Sequence, residues 1–155
     1  MPAYPTIRPA RVGDVEKICE LVNYYAERGR MLHRSLEGAY ECLRDFLVAE
    51  EADGRVVGCV AVSVFWSDLA EVRSMAIDPD RTGSGIGSRL LAAAIENARH
   101  LGIKRTFTLT YEQDFFARQG FEVMDRQKLP EKVWRVCISC PKVDACDETA
   151  MMLQL

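Results

Sequence analysis

The sequence has no long hydrophobic run and no excess of positive charge. No apolar stretch approaches the roughly 20 residues that span a bilayer, and the polar start Met1-Pro2-Ala3-Tyr4-Pro5 is unlike a signal peptide. Lys and Arg total 20 against 23 for Asp and Glu, a net charge of −3, whereas general nucleic-acid binders usually carry a basic field. We therefore expect a cytoplasmic protein with neither a membrane nor a nucleic acid as partner.

The six cysteines do not indicate a disulfide framework, because nothing in the sequence points to secretion. Three lie singly within apolar patterns, where a free thiol behaves as a small buried hydrophobe: Cys19, Cys42 and Cys59. The others, Cys137, Cys140 and Cys146, cluster near the C-terminus, and a Cys-x-x-Cys pair suits tetrahedral zinc with Asp147 or Glu148 as a further ligand. Three packed free thiols fit this cluster equally well, and we favour no metal there.

The sequence does contain the mixed periodicities of a single α/β domain covering residues 1–155. The 48% hydrophobic and 28% charged fractions are typical of a globular chain that buries its own core. Asp14 and Ser35 are predicted N-caps of two helices, because their side-chain oxygens can accept from the free amides of a first turn. Predicted strands cover residues 6–8, 47–52, 55–66, 70–77, 104–110, 121–125 and 149–155.

Turn residues separate these elements. The pair Asp53-Gly54 predicts a type I′ hairpin, which needs positive φ at both central residues. Asp78-Pro79-Asp80 stops the third strand of an antiparallel set, because proline cannot continue the ladder. A helix then follows a glycine-rich segment, with a predicted apolar stripe at Leu90, Leu91, Ala94, Ile95, Ala98 and Leu101. A shorter helix is predicted at residues 115–119.

The glycine-rich segment Arg81-Thr82-Gly83-Ser84-Gly85-Ile86-Gly87 lies between a strand and a helix. The first amides of a helix are unsatisfied and the helix dipole leaves partial positive charge there, so this placement predicts a phosphate site more than a plain turn. A Walker loop would continue with Lys-Ser or Lys-Thr, but Ser88-Arg89 follows here. A dinucleotide fold would place its loop in a parallel βαβ unit, but three antiparallel strands precede this one.

Residues 78–91 resemble the acetyl-CoA-binding motif of the GNAT superfamily of N-acetyltransferases, and Phe115-Phe116-Ala117-Arg118-Gln119-Gly120-Phe121 resembles its second hallmark. Thr82 stands where that motif usually has arginine or glutamine, so backbone amides would hold the phosphates, with Arg81 or Arg89 adding charge. The resemblance implies a mixed, mostly antiparallel sheet of about seven strands flanked by about four helices. The cofactor-binding residues it implies are Arg81, Thr82, Gly83, Ser84, Gly85, Ile86, Gly87, Ser88, Phe115, Phe116 and Arg118.

The resemblance also implies roles in direct acetyl transfer. The backbone of Met75, Ala76 and Ile77 would hold the pantetheine arm and the thioester carbonyl. Glu71 is the expected general base, directly or through a water, although a solvated carboxylate pairing with Arg73 is the alternative. Thr110 would orient the amine or that water. No general acid is assigned, because Phe116 occupies the position where many members have a tyrosine that can donate a proton.

A narrower resemblance, to the acetyltransferase domain of bacterial N-acetylglutamate synthases, rests on residues 29–35, 57–61, 70–74 and 129–134. It implies acetylation of the α-amine of L-glutamate, the first step of arginine synthesis. Arginine suits carboxylates, so the expected substrate ligands are Arg34, Ser35, Arg73 and Lys132. The alternatives are glutamine, another amino acid, a protein α-amine, or a non-catalytic acetyl-CoA-binding module. Members of the family often dimerise, so a homodimer is possible, but the sequence itself does not reveal the oligomeric state.

Overall fold

The strands of the computed structural model, which describes residues 4–129 and 148–155, form one mixed sheet. Its seven strands in this part of the chain are β1 (Thr6–Pro9), β2 (Phe46–Glu50), β3 (Val56–Trp66), β4 (Leu69–Ile77), β5 (Arg105–Thr110), β6 (Glu122–Val123) and β7 (Thr149–Gln154). The order across the sheet is β1-β2-β3-β4-β5-β7-β6. Only β4 and β5 pair in parallel, and the other neighbours are antiparallel.

Four helices accompany the sheet in the described ranges: α1 (Val15–Ala26), α2 (Leu36–Glu41), α3 (Ile86–His100) and α4 (Gln113–Arg118). The α3 helix packs on one face of the sheet and α1 on the other, and each face has its own apolar core. The predicted mixed sheet with about seven strands and four helices is therefore confirmed. No helix in the described part of the chain is both long enough and apolar enough to cross a membrane.

The parallel pair β4 and β5 stays together over only three residues. Leu69, Ala70 and Glu71 pair with residues 105–107, and no pairing continues beyond Glu71. Farther along β4 the register against β3 shifts, because two residues of β4, Ser74 and Met75, lie opposite the single residue Val60 of β3. Ser74 adopts a φ of 53° there. Such a bulge bends a strand. The two strands therefore separate after Glu71, and a cleft opens between them.

The long helix α3 connects these two strands and presents the predicted stripe to the core. Leu90, Leu91, Ala94 and Ala98 are fully buried. The predicted stripe extends too far, since its last residue, Leu101, is 65% exposed. The helix ends at His100, and Gly102 turns the chain away with a φ of 87°.

Two of the predicted turn features are wrong in detail. Asp14 occupies the predicted N-cap position of α1, but its carboxylate accepts no hydrogen bond from the first turn of that helix. It accepts from the amide of Arg11 at 2.7 Å, within a preceding 3-10 turn, and pairs with Arg8 at 2.7 Å. The predicted hairpin joins β2 and β3, but only Gly54 has a positive φ, of 88°, so the turn is not type I′. Ser35 caps α2 as predicted, since its Oγ accepts from the amide of Gly38 at 3.0 Å.

Candidate active site

A cleft of about 1130 Å³ lies where β4 and β5 separate. Its walls come from the connection between α1 and α2, the exposed half of β4, the glycine loop, the end of β5 and the start of α4. Most of the predicted site residues line it: Arg34, Ser35, Glu71, Arg73, Met75, Ile77, Arg81, Thr82, Gly83, Gly85, Ile86, Gly87, Ser88, Thr110, Phe115, Phe116 and Arg118. One fold feature therefore gathers residues spread over more than half of the chain.

Three of the predicted site residues call for separate mention. Ala76 is buried in the core on the α1 side of the sheet, where only its backbone is available for a ligand. Ser84 does not appear among the cleft residues, and its hydroxyl donates to the carbonyl of Arg81. Lys132 lies outside the described residues, as do the cysteines at positions 137, 140 and 146. Among the described residues, no three or more His, Cys, Asp or Glu side chains lie together in a group that could hold a metal ion.

The glycine loop presents bare backbone to the cleft. Gly83 and Gly85 adopt φ of 78° and 86°, a region that L side chains rarely enter. Gly85 is the N-cap of α3 and has no side chain with which to satisfy the first amides of the helix. The first turn also contains no acidic residue. The amides of Ile86, Gly87 and Ser88 are therefore left for an anion, and the dipole of this 15-residue helix favours one.

Side chains near this loop contribute less charge than we expected. Both Nε and Nη2 of Arg81 lie 3.2 Å from carboxylate oxygens of Glu51, a pairing that raises the pKa of Arg81. The guanidinium of Arg89 lies 4.6 Å from the ring centroid of Tyr4. The hydroxyl of Thr82 donates to the carbonyl of Pro79 at 3.3 Å. Backbone amides therefore remain the principal anion donors of this loop.

Glu71 occupies the last position at which β4 pairs with β5, where the two strands part. Its side chain is nearly buried, and Oε1 lies 3.8 Å from Nη1 of Arg73. Burial raises the pKa of Glu71 to about 7; Arg73 opposes this rise, Glu148 adds to it, and Arg34 opposes it more weakly. The carboxylate does pair with Arg73, but it is not the solvated group of the alternative interpretation. A carboxyl with a pKa near 7 can accept a proton at neutral pH.

Two guanidinium groups face the same part of the cleft. Arg34 donates from Nε to the hydroxyl of Ser74 at 3.0 Å. Its backbone is held on both sides by the amide side chain of Asn23, at 2.8 and 2.9 Å. The Nε of Arg73 is buried and has no hydrogen-bond partner among the described residues. A buried donor of this kind favours an incoming acceptor such as a carboxylate.

Thr110 ends β5 on the opposite wall. Its Oγ1 accepts from the amide of Glu112 at 2.8 Å, which leaves the hydroxyl hydrogen available to donate. Phe116 is buried and makes edge contacts with Phe115 and Phe121, at centroid distances of 5.1 and 5.2 Å. Phe116 therefore packs α4 beside the cleft and cannot supply a proton.

Sequence reasoning missed several cleft residues. Tyr25 donates to the carbonyl of Ile77 at 2.5 Å, and Arg30 forms an ion pair with Glu112. Arg126 and Glu148 also line the cleft. These partners are distant in sequence, so no local pattern could have revealed them.

Comparison with known proteins agrees with this geometry. Residues 43–123 match the model of the acetyltransferase (GNAT) domain. The chain belongs to the GNAT family of acetyltransferases. It is 40% identical over 156 residues to an uncharacterised N-acetyltransferase of Chlorobaculum tepidum, with both chains covered completely. It is 42% identical over 132 residues to the amino-acid acetyltransferase of Mycobacterium tuberculosis, which covers 84% of this chain and 75% of that one.

Two crystal structures extend the comparison. The Rv2747 protein of Mycobacterium tuberculosis in complex with CoA and NLQ superposes with a TM-score of 0.85 at 37% identity, covering 97% of this chain and 99% of that one. N-acetylglutamate synthase from Neisseria gonorrhoeae, complexed with coenzyme A and N-acetyl-glutamate, gives 0.89 at 32% identity, covering 100% of this chain and 36% of that one. The predicted family, fold and enzyme class are confirmed. This GNAT protein is an amino-acid acetyltransferase of the N-acetylglutamate synthase type, with acetyl-CoA as cosubstrate.

Proposed function

We propose that this acetyltransferase transfers the acetyl group of acetyl-CoA directly to the α-amino group of L-glutamate. The observation that carries the proposal is the group formed by Glu71, Arg73 and Arg34. It brings a carboxyl with a pKa of about 7 beside two guanidinium groups in one cleft. A dicarboxylic amino acid needs both a base for its ammonium group and cations for its carboxylates. The Neisseria gonorrhoeae complex with N-acetyl-glutamate supports the same substrate class.

Acetyl-CoA occupies the half of the cleft that faces α3. The pyrophosphate binds the amides at the start of α3, contributed by residues 83–88. The pantetheine arm follows the free edge of β4, where the backbone of Met75, Ala76 and Ile77 provides hydrogen-bonding groups. Phe115, Phe116 and Arg118 bound this half from α4. The arm therefore leads from the loop towards Glu71, and the thioester ends beside the amine.

The reaction needs one proton acceptor and one electrophile. The Glu71 carboxylate takes a proton from the substrate ammonium group, directly or through a water. The freed amine attacks the thioester carbonyl carbon, a C–N bond forms, and the C–S bond breaks with its electron pair leaving on sulfur. The nitrogen gives up its second proton as the amide forms, and the CoA thiolate takes up one proton through solvent. We assign no side chain to this transfer. Thr110 orients the amine or the water through its hydroxyl.

The substrate carboxylates bind to Arg34 and Arg73. Arg34 is held in position by Ser74 and Asn23, so little conformational freedom is lost when it binds an anion. Ser35 is a weaker candidate than expected, because its oxygen already accepts from the amide of Gly38. Lys132 stays a predicted ligand, and a zinc site at the three C-terminal cysteines stays a disfavoured alternative.

Glutamine is the alternative substrate that a specific observation favours. Glu148 lines the same cleft and raises the pKa of Glu71, so a second carboxylate faces the bound amino acid. This negative charge favours a substrate with a neutral side chain.

In the leading proposal the protein acts as a single domain in the cytoplasm and catalyses the first step of arginine synthesis. A homodimer stays a prediction.

The test is thiol release from acetyl-CoA with a panel of amino acids, measured for the unmodified protein and for Arg34→Ala and Arg73→Ala. We expect glutamate to give the highest kcat/KM and both variants to raise its KM. Arg99→Ala, at an exposed position on α3, is the matched control. An unchanged KM for glutamate in both cleft variants would refute the assigned carboxylate ligands. Turnover only with other amines would refute the substrate.

A further inference from the structure

A continuous set of contacts crosses the cleft from β4 to β5. The Tyr25 hydroxyl donates to the carbonyl of Ile77 on β4 at 2.5 Å, and the amide of Arg30 donates to the carbonyl of Tyr25 at 3.0 Å. The guanidinium of Arg30 forms an ion pair with the carboxylate of Glu112. The amide of Glu112 donates to Oγ1 of Thr110, the last residue of β5, at 2.8 Å. We call this set of contacts the clasp.

The clasp lies over the cleft between β4 and β5. Pairing of β4 with β5 stops at Glu71, whereas the clasp ends on Ile77 and Thr110, which lie beyond that point on their strands. All five of its residues line the cleft. The connection between α1 and α2 on one side and the connection between β5 and α4 on the other are therefore joined across the gap.

The contacts of the clasp differ in exposure. Tyr25 is partly buried, and Thr110 is buried. The side chains of Arg30 and Glu112 are 43% and 65% exposed. An ion pair this exposed changes an equilibrium by roughly 1.5- to 5-fold, so it breaks more easily than the partly buried hydrogen bonds beside it. The Arg30–Glu112 pair is therefore the contact at which the clasp opens.

We propose that Arg30 and Glu112 are positioning residues whose ion pair closes the clasp over the pantetheine arm of bound acetyl-CoA. The inference rests on the proposed function, because it requires the arm to lie between β4 and β5. When the pair is closed, the arm is enclosed by the strands and the clasp, and the thioester is held near Glu71. When the pair opens, CoA leaves. Arg30 also stacks near the ring of Tyr111, at 5.1 Å from its centroid, which keeps its guanidinium on the β5 side.

The experiment measures CoA dissociation by stopped flow, and the KM for acetyl-CoA, in Arg30→Met, Glu112→Gln and the charge-swapped double variant Arg30→Glu with Glu112→Arg. Arg99→Met is the matched control, because the Arg99–Glu96 pair is similarly exposed, at 52% and 56%, and lies outside the cleft. We expect each single variant to release CoA about 2- to 5-fold faster, and the double variant to recover most of that change. The difference from the unmodified protein should shrink at 1 M salt.

Three results would overturn the inference. One is a CoA release rate in both single variants equal to that of Arg99→Met. Another is a double variant whose effect is the sum of two losses, since that shows no coupling between the side chains. The third is a change in kcat for glutamate with unchanged CoA release, because a merely structural role would give that pattern. Failure of the proposed function would give a different result. The unmodified protein would not acetylate glutamate, but Arg30→Met and Glu112→Gln would still release CoA faster than the unmodified protein.

Discussion

Replacing Glu71 with glutamine removes a buried carboxyl group while keeping nearly the same shape. Burial raises its pKa from 4.5 to about 7 in the folded protein. One pKa unit corresponds to about 1.4 kcal/mol, so ionised Glu71 destabilises the fold by about 3 kcal/mol once the pH exceeds 7. Below about pH 4.5 the group is protonated in both folded and unfolded chains and this cost disappears. Between these limits the unfolded chain loses its proton first, so stability falls as pH rises.

The E71Q variant should therefore be more stable than the unmodified protein at pH 8 and nearly equal to it at pH 4.5. Urea unfolding at several pH values measures the difference, with Glu96→Gln on the exposed surface of α3 as control. Thiol release should show E71Q reduced by about 10²- to 10⁴-fold, and the unmodified enzyme gaining activity up to about pH 7. A stability difference that is constant with pH, or a flat activity profile between pH 6 and 8, would refute the assignment of the base.

Three further predictions concern the substrate, the cofactor and the scaffold. Arg34→Ala should raise the KM for glutamate about 10- to 100-fold in steady-state kinetics, because a hydrogen bond to a carboxylate is lost. Gly85→Ala should lower stability by about 1–2 kcal/mol and weaken CoA binding in a titration, since its φ is 86°. Arg8→Ala should lower the free energy of unfolding by about 1–3 kcal/mol at pH 7, because Asp14 loses its partner. This last loss should shrink as pH falls, because Arg8 holds the pKa of Asp14 below its usual range.

Each of these predictions has a contradicting result. Equal KM values for Arg34→Ala and Arg99→Ala would remove Arg34 from the substrate site. Unchanged CoA affinity in Gly85→Ala would show that the loop can hold the cofactor without its left-handed glycine. For Arg8→Ala, a stability loss of equal size at pH 7 and pH 3 would mean that packing, and not the ion pair with Asp14, accounts for the effect.

Much of the fold follows from signals that are local in sequence. The apolar stripe of α3 and the capping serine of α2 each report on residues within a few positions. Those predictions hold because the residues whose spacing predicts each helix are the same residues that pack against the core or cap the helix in the fold. Asp14 shows where this reasoning ends: an acidic residue before a helix is a good cap, yet here the guanidinium of Arg8 and the amide of Arg11 compete for its carboxylate and win.

The candidate site likewise contains some features that a local sequence pattern predicts and others that only the tertiary fold creates. The glycine loop is visible in sequence because one short segment contains both the turn and the helix start. The family resemblance predicts Glu71 as the general base. Its burial, which raises its pKa, depends on how the strands and helices pack in the folded protein. Arg81 pairs with Glu51, 30 residues away, and Arg30 pairs with Glu112, 82 residues away. Contacts at such separations are created by the tertiary fold and leave no periodic pattern in the chain.

The most direct test of the proposed glutamate specificity is a competition in one reaction. Equal concentrations of L-glutamate and L-glutamine are mixed with a limiting amount of acetyl-CoA and the enzyme, and the two N-acetylated products are quantified by mass spectrometry. The product ratio equals the ratio of the two kcat/KM values. We predict that N-acetylglutamate predominates and that Arg34→Ala reduces the excess. A predominance of N-acetylglutamine would contradict the proposed substrate.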